Sequence, residues 1–348
     1  MKIQFLNGGL ANQAFQYIFA RYYELSHPGD KMFLDDSYFA LHTVHNGYEL
    51  EKVFGFRPHM LSQCFDEKVW AFILEERQQG KSVPQILREQ QVQIQMITET
   101  GNYSHFNPFD GEVFPIPSNG YFPEILEVPG NTYYHGYWIN KDWFMGYRET
   151  FLQEFAFPMI TDERNLHYLE EIQTSHSVAV HVRRGDYVTL GWELDLGVYQ
   201  DGLWRFVEQA QICGQKDERT SVQEPPQVQG QPQEPPQALG QPQTQVQERP
   251  QLQGQMAAHR RASVEDGWHL FVFSDDIDWC REHARQLGFG LFPKITYVEG
   301  NVRGENYRDL QLMSQCEGMI LSNSAFSYLA ALLNTRRRYT LNLSDRVL

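Results

Sequence analysis

The sequence predicts an α/β protein built on parallel β-sheet, and three observations support that class. The 348-residue chain opens with a short strand, a glycine turn and a helix. Its second half alternates apolar strands with helices, the order typical of parallel sheets covered on both faces. Within that half, the mostly apolar run Ser177–Val182 ends abruptly at Arg183, Arg184, Gly185 and Asp186. A buried strand has this pattern where its carboxyl end opens onto a ligand crevice.

The composition limits the class of partner. The chain is 41% hydrophobic and 21% charged, with a formal net charge of −15 at pH 7. Nucleic-acid binders normally present a basic face, so we expect no nucleic-acid partner. The length permits two domains. The four cysteines include no C-x-x-C pair, which predicts neither a zinc site nor a disulfide scaffold.

The first half is punctuated unevenly. A strand over Ile3–Leu6 and a turn at Asn7–Gly9 lead into a helix over Ala11–Leu25, whose apolar residues recur at helical spacing. Between residues 36 and 130, frequent Pro and Gly residues interrupt the apolar patterns, so few helices or strands can be predicted. The remaining predictions in this half are helices over Asp66–Gln79 and Val83–Glu89, a strand over Tyr133–Trp138, a helix through Trp143–Phe151 and a helix over Glu163–Thr174.

No targeting or membrane segment is predicted. The apolar start of the chain is broken at once by Asn7–Gly9, so it lacks the core of a signal peptide. No run of about 18 apolar residues occurs, so we expect no transmembrane helix. We expect a cytoplasmic protein, with peripheral contact at the inner membrane face left open.

A low-complexity tract interrupts the second half. Residues 224–243 contain two tandem Gln/Pro/Gly-rich decapeptides, and a decayed third copy begins at Glu248. Such a tract cannot bury a core and is expected to be disordered or polyproline-like. We interpret residues 215–258, approximately, as an insertion into a surface loop, serving either as a recognition tail or as a neutral repeat expansion.

After the insertion, regular α/β order returns. The predicted elements are a strand over Trp268–Phe273, a helix over Ile277–Leu287, a strand over Ile295–Val298, a helix over Glu305–Cys316, a strand over Met319–Leu321 and a helix over Ala325–Leu333.

Three strand ends in this half carry polar groups suited to a nucleotide. Arg183 and Arg184 end one strand, Asp275 and Asp276 follow another, and Ser322–Ser324 precede a helix. Paired guanidinium groups match diphosphate oxygens, and a helix N-terminus adds N–H donors and positive dipole. A carboxylate can accept hydrogen bonds from the N1–H and the exocyclic amine on the edge of a guanine base. Each feature also has a structural interpretation, as a surface ion pair or a helix cap.

Four blocks of the chain, in order, resemble the family 11 glycosyltransferases of the bacterial α-1,2-fucosyltransferase kind. They are the glycine-rich block Gly8–Tyr17, the His-x-Arg-Arg-x-Asp block His181–Asp186, the block Phe273–Cys280 and the block Asp309–Asn334. Gly136–Trp138 with Lys141 also looks like a family feature. The family pattern is altered at Ala11 and Ala14, and Tyr328 and Leu329 replace its usual Trp pair.

The resemblance implies a GT-B-like arrangement of two Rossmann-like domains facing a cleft. Residues 1–160 would form the acceptor-side domain and residues 161–348 the GDP-sugar-binding domain. It implies inverting transfer of L-fucose from GDP-β-L-fucose to the 2-hydroxyl of a galactoside, in a glycan precursor or a free oligosaccharide. Alternatives are another GDP-sugar or linkage, or an inactive nucleotide-sugar-binding protein. A nicotinamide oxidoreductase is disfavoured because the glycine fingerprint is incomplete.

The resemblance also implies roles for individual residues. Arg183 would stabilise the β-phosphate as it departs, and Asn12 would position donor or acceptor across the cleft or else bond the glycine turn. Arg184 would bind the donor or hold the motif together through Asp186. The predicted donor-binding residues are His181, Arg184, Asp186, Asp275, Asp276, Ser322, Asn323, Ser324 and Phe326.

No metal or other cofactor is predicted, because arginine and a helix dipole supply the positive charge that Mg²⁺ would otherwise provide. The adjacent Asp275 and Asp276 are interpreted as a helix cap beside the nucleotide. A general base is not identified. Asp35, Asp36 and His135 are candidates by residue type only.

Overall fold

Two five-stranded parallel sheets form the framework of the protein. The computed structural model describes residues 1–43, 45–100, 111–220, 267–302 and 304–344. The predicted α/β class with two parallel sheets is confirmed. The Gln/Pro/Gly tract lies almost entirely outside the described residues, so its predicted disorder stays a prediction.

The first sheet has the strand order β2-β1-β5-β3-β4. Its strands are β1 (Lys2–Phe5), β2 (Met32–Asp35), β3 (Gln95–Thr100), β4 (Val113–Pro117) and β5 (Thr132–His135). The helices of this half are α1 (Leu10–Ser26), α2 (Ser37–Leu41), α3 (Leu50–Phe54), α4 (Glu67–Gln78), α5 (Val83–Glu89), α6 (Lys141–Met145), α7 (Arg148–Glu154) and α8 (Glu163–Thr174).

The second sheet has the strand order β10-β9-β6-β7-β8. Its strands are β6 (His176–Val182), β7 (Trp268–Ser274), β8 (Lys294–Tyr297), β9 (Gly318–Leu321) and β10 (Tyr339–Asn342). The helices are α9 (Gly185–Leu190), α10 (Leu196–Thr220), α11 (Ile277–Glu282), α12 (Tyr307–Met313) and α13 (Ala325–Leu333).

Several boundaries differ from the sequence predictions. The strand predicted over Tyr133–Trp138 ends at His135, and Trp138 adopts a left-handed conformation with φ 57°, which a strand does not accommodate. The single helix predicted through Trp143–Phe151 is two short helices, α6 and α7. The helix predicted over Ile277–Leu287 is α-helical only to Glu282. Strands β2, β3, β4 and β10 were not predicted. In β4 the two prolines remove ladder donors, which restricts that strand to the sheet edge.

The two halves meet along helices that begin at strand ends. Helix α1 follows β1 and helix α13 follows β9, so each begins at the carboxyl edge of its sheet. The rings of Phe15 in α1 and Tyr328 in α13 stack at 5.5 Å. Nearby, Lys52 Nζ donates to the Gly304 carbonyl at 2.8 Å and Asn46 Nδ2 to Asn306 Oδ1 at 3.1 Å. The N-terminal turns of α1 and α13, and with them the carboxyl edges of the two sheets, therefore lie close together.

The domain division near residue 160 remains a proposal. The first sheet ends with β5 and the second begins with β6, so the chain passes between sheets through α6, α7 and α8. Among the described residues, no helix is both long and apolar enough to cross a membrane.

Candidate active site

The three polar strand ends predicted from the sequence lie side by side. Strand β6 pairs with β7 on one side and with β9 on the other, with Val182 opposite Ser274 and Val180 opposite Ile320. The arginines that follow β6 therefore lie between the two aspartates after β7 and the segment Ser322–Ser324 after β9. The predicted convergence depended on a shared sheet, and the strand order supplies it.

Arg183 is held by two carboxylates. Its Nη1 lies 2.9 Å from Asp275 Oδ2, and its Nη2 donates to Asp186 Oδ1 at 2.6 Å. The guanidinium carbon lies 5.3 Å from the centre of the Tyr187 ring. Its Nε is buried and has no hydrogen-bond partner among the described residues. Because the side chain remains 27% exposed, an anion entering the crevice can reach it.

Arg184 is packed more tightly than Arg183. Its guanidinium carbon lies 3.6 Å from the centre of the Trp279 ring, a cation–π geometry. Its Nε donates to Asp276 Oδ2 at 3.2 Å. The prediction that Arg184 holds the motif together through Asp186 is wrong, because Asp186 pairs with Arg183 instead. The ring and the carboxylate fix Arg184 in place.

Asp275 links the two arginines. Besides its contact with Arg183, its Oδ1 accepts the backbone N–H of Arg184 at 2.9 Å. A Cβ on Gly185 would lie 2.5 Å from Asp275 Oδ2, so glycine allows the carboxylate its close approach. Asp276 also caps α11, where its Oδ1 accepts the Trp279 N–H at 3.3 Å. Both carboxylates thus organise the arginines, and their contact with a guanine base stays a prediction.

His181 joins β6 to β9 beneath the arginines. Its Nδ1 lies 2.8 Å from Ser322 Oγ, and its ring lies 5.5 Å from that of Phe326. Burial and the neighbouring Arg183 charge lower the pKa of His181 to about 3. The imidazole is therefore neutral across the physiological range, which suits a structural link better than a proton donor.

The segment Ser322–Ser324 divides its polar atoms between structure and crevice. Ser324 Oγ caps α13 by accepting the Phe326 N–H at 3.3 Å, which leaves the hydroxyl proton able to bond an anion. Asn323 Nδ2 donates to the Trp192 carbonyl at 2.7 Å, and its Oδ1 is buried without a partner among the described residues. Since an amide oxygen accepts and never donates, it suits a hydroxyl or N–H group and not a phosphate.

Asn12 lies in the first turn of α1, at the carboxyl edge of the first sheet. It packs over Gly8, whose φ is 79° and where a Cβ would approach Asn12 Nδ2 to 2.7 Å. Its side chain makes no hydrogen bond to the glycine turn or to any other described residue, which disfavours a role in bonding the turn. The half-buried amide is therefore available to a ligand.

The candidate general bases are committed to structure. Asp35 is fully buried, and its Oδ2 accepts the Tyr133 hydroxyl at 2.6 Å. Asp36 accepts two hydrogen bonds from Ser62, at 2.6 and 3.0 Å. His135 is buried and stacks on Phe5. None of the three presents a free basic atom to the crevice, so the base stays unassigned.

Replacing Tyr133 with phenylalanine should lower the free energy of unfolding by about 1–3 kcal/mol, because it leaves the buried Asp35 carboxylate short of a donor. The pH profile of any activity of the protein should be unchanged. Urea unfolding measures the first effect, with Tyr168→Phe as the control, since that hydroxyl makes only a long 3.4 Å bond. A shifted pH profile would instead indicate that Asp35 takes part in proton transfer.

Glu99, at the carboxyl end of β3, is a further candidate that the sequence did not reveal. It is 3% exposed, and its Oε2 accepts the N–H groups of Tyr137 and Trp138 at 2.7 and 3.0 Å. Its Oε1 accepts the Asn119 N–H at 2.9 Å. Sequence reasoning missed it because β3 was not predicted and its partners lie 20 to 39 residues away.

Known proteins resemble this chain in sequence along most of its length. The sequence model of Glycosyl transferase family 11 matches residues 5–210 and 257–345. It passes over residues 211–256, close to the predicted insertion. The alpha-1,2-colitosyltransferase of Escherichia coli is 24% identical over 328 residues, which cover 94% of this chain and 86% of that protein.

Two solved structures also align with most of this chain. Fucosyltransferase NodZ from Bradyrhizobium has a TM-score of 0.39 at 13% identity, over 95% of this chain and 92% of that one. A mutant of Arabidopsis thaliana FUT1 in complex with GDP has a TM-score of 0.44 at 10% identity, over 95% of this chain and 68% of that one.

Proposed function

Because the chain belongs to glycosyltransferase family 11, we propose that it transfers L-fucose from GDP-β-L-fucose to the 2-hydroxyl of a galactoside, with inversion. Family membership makes it a fucosyltransferase-type glycosyltransferase. The binding of a sugar-diphosphate donor, which this proposal requires, is supported by one observation above all. A reachable arginine with an unpartnered buried Nε stands beside the N-terminus of α13 at the carboxyl edge of the second sheet.

Transfer with inversion is a single displacement. The acceptor oxygen bonds to the anomeric carbon as the bond from that carbon to the β-phosphate oxygen breaks. GDP leaves with the electron pair, and the acceptor hydroxyl proton passes to a base or to water. Negative charge grows on the departing diphosphate, so donors already fixed around it lower the barrier.

The residues of the second half would supply those donors. Arg183, held by Asp186 and Asp275, would donate its remaining N–H groups to the β-phosphate, while Arg184 stays fixed on Trp279. The Ser324 hydroxyl and the first N–H groups of α13 face the same anion. Asn12 would approach the transferred sugar from the opposite side of the crevice.

The positive charge of these groups makes a metal unnecessary in this proposal. Within the part of the chain that the structure describes, no three His, Cys, Asp or Glu side chains are grouped to hold a metal ion. We expect activity to persist in excess chelator. A cytoplasmic location, with contact at the inner membrane face where a lipid-linked acceptor would lie, is also part of the proposal.

A second donor is favoured by a specific observation. The relative from Escherichia coli transfers colitose by its name. Colitose is fucose without its 3-hydroxyl, so the same GDP pocket would take either donor, and contacts to the sugar alone would discriminate. An inactive nucleotide-sugar-binding protein remains the third alternative.

The experiment is incubation of the full chain with GDP-fucose or GDP-colitose and a panel of galactosides, with the new linkage determined by NMR. We expect an α-1,2-linked fucoside, and a lower kcat/KM with GDP-colitose. A preference for GDP-colitose would move the donor assignment to the second candidate. Tight GDP binding without turnover of any donor would favour the inactive binding protein.

A further inference from the structure

Glu99 connects two loops at the carboxyl edge of the first sheet. Its three hydrogen bonds reach the turn that follows β5, at Tyr137 and Trp138, and the loop that follows β4, at Asn119. A Cβ on Gly136 would lie 2.7 Å from Glu99 Oε2, so the carboxylate rests directly on the backbone of that turn. One buried anion thus sets the position of both loops.

Both loops contain a residue in a left-handed conformation. Asn119 has φ 61°, which asparagine adopts more readily than most residues, and Trp138 has φ 57°. For a bulky residue such as Trp138 this is a costly geometry, of order 1–3 kcal/mol. Such strain persists only where the surroundings dictate it, and it concentrates at functional sites.

The turn after β5 is also tied to the glycine turn after β1. Gln16 Nε2 donates to Asn7 Oδ1 at 2.7 Å and to the Gly136 carbonyl at 3.3 Å. Gln4 Nε2 donates to the same carbonyl at 3.1 Å, and Gln4 Oε1 accepts the Trp138 indole N–H at 2.6 Å. These glutamine and asparagine side chains are buried. The network therefore extends from Glu99 to the turn that carries Asn12.

A buried polar network of this kind is an energetically unfavourable way to fill a protein core. Each polar group would cost free energy if it lost its partner, and apolar side chains fill a core with less risk. Burial raises the pKa of Glu99, while its three N–H donors oppose that rise. What the network gains is fixed geometry in two neighbouring turns at the edge where parallel sheets bind ligands.

We propose that Glu99 is a positioning residue for the acceptor, holding the turns Asn7–Asn12 and Gly136–Trp138 as the floor on which the acceptor sugar lies. This inference rests on the proposed function, since it takes the donor to lie on the second sheet. The inference attributes part of the protein's affinity for the acceptor to a carboxylate that contacts no substrate. Hydroxyl groups of a neutral sugar are the ligands that such amide-rich turns would bind.

The test compares two variants of the same strand. Glu99→Gln replaces one oxygen by an amide donor that faces the backbone N–H groups, so at least one hydrogen bond is lost. Ile97→Val, two residues earlier in β3 and 2% exposed, is the matched control. It shortens a buried side chain and leaves all three hydrogen bonds of Glu99 in place, and such a change lowers stability by about 0.5–1.5 kcal/mol. The acceptor KM, kcat, the Kd for GDP and the unfolding free energy are measured for both.

We expect Glu99→Gln to raise the acceptor KM roughly tenfold or more, as misplaced binding groups do, with the Kd for GDP unchanged. Ile97→Val should leave both constants unchanged. An unaltered acceptor KM in Glu99→Gln, or an equal rise in the control, would overturn the inference. If Glu99→Gln does not fold, Glu99→Asp, which draws the carboxylate back from the three N–H donors by one methylene, must raise the acceptor KM with the Kd for GDP unchanged, or the inference fails. Absence of transfer by the wild type would contradict the proposed function instead.

Discussion

Alanine at position 183 is expected to lower transfer by roughly 10²- to 10³-fold in kcat, the loss typical of removing one donor to a developing anion. Arg183 is the guanidinium that combines exposure to the crevice with an unpartnered Nε. Arg183→Lys should recover little activity, because an ammonium group cannot replace a planar fork on a diphosphate. Steady-state kinetics with saturating donor, beside thermal unfolding, measures both variants.

The control for this prediction is Arg281→Ala. Arg281 also pairs with a carboxylate, Glu299 at 2.7 Å, and lies 4.4 Å from the centre of the Tyr297 ring. Arg281→Ala therefore removes the same kinds of contact as Arg183→Ala, at a position outside the strand ends that form the site. Equal losses of kcat in the two variants would mean that the arginine effect is structural and that the diphosphate lies elsewhere.

The second large effect is expected at Phe15. This side chain is fully buried in α1 and stacks on Tyr328 of α13, across the contact between the two halves. Phe15→Ala should lower the free energy of unfolding by about 3–5 kcal/mol, through lost burial and the cavity that remains. Urea unfolding measures it, with Phe114→Ala as the control, because that ring is 46% exposed.

A double-mutant cycle separates the stack from simple burial. If Phe15 and Tyr328 interact, Phe15→Ala combined with Tyr328→Ala should destabilise by less than the sum of the single effects, by about 0.5–1.5 kcal/mol. Additive losses would show that the two rings stabilise the protein only through the surface area that each one buries. The cycle would also show how far Tyr328, which stands where the family usually has Trp, retains the aromatic contact.

The second sheet was the more predictable because its three central strands, β9, β6 and β7, are buried on both faces. Mostly apolar runs such as Val178–Val182 and Trp268–Phe273 are followed within two residues by charged side chains, and those ends led to the predicted convergence. Helices α8 and α13 match their predicted bounds because each begins at a capping side chain, Asp162 and Ser324 respectively.

The first sheet was less predictable for a physical reason. Strand β4 contains Pro115 and Pro117, which contradict the usual strand pattern and are tolerated only at an edge. Glu99 sits in a strand of mixed polarity and reads as a solvent-facing acid. Its role depends on backbone N–H groups from two later loops, which no local pattern encodes. The roles of the two aspartates also depend on the fold, because Asp276 both caps α11 and contacts Arg184, while Asp275 contacts both arginines and caps no helix among the described residues.

The excess of acid around the arginines has a consequence for how a donor arrives. Two guanidinium groups are matched against Asp186, Asp275 and Asp276, within a chain that is itself strongly anionic. Viewed from a distance, such a site does not attract a negatively charged nucleotide and exerts a mild repulsion. Electrostatic attraction would thus not accelerate the association of the donor with the protein, and added salt would raise the association rate by screening the repulsion. Inorganic anions, which lack a base and a sugar, would bind only weakly there.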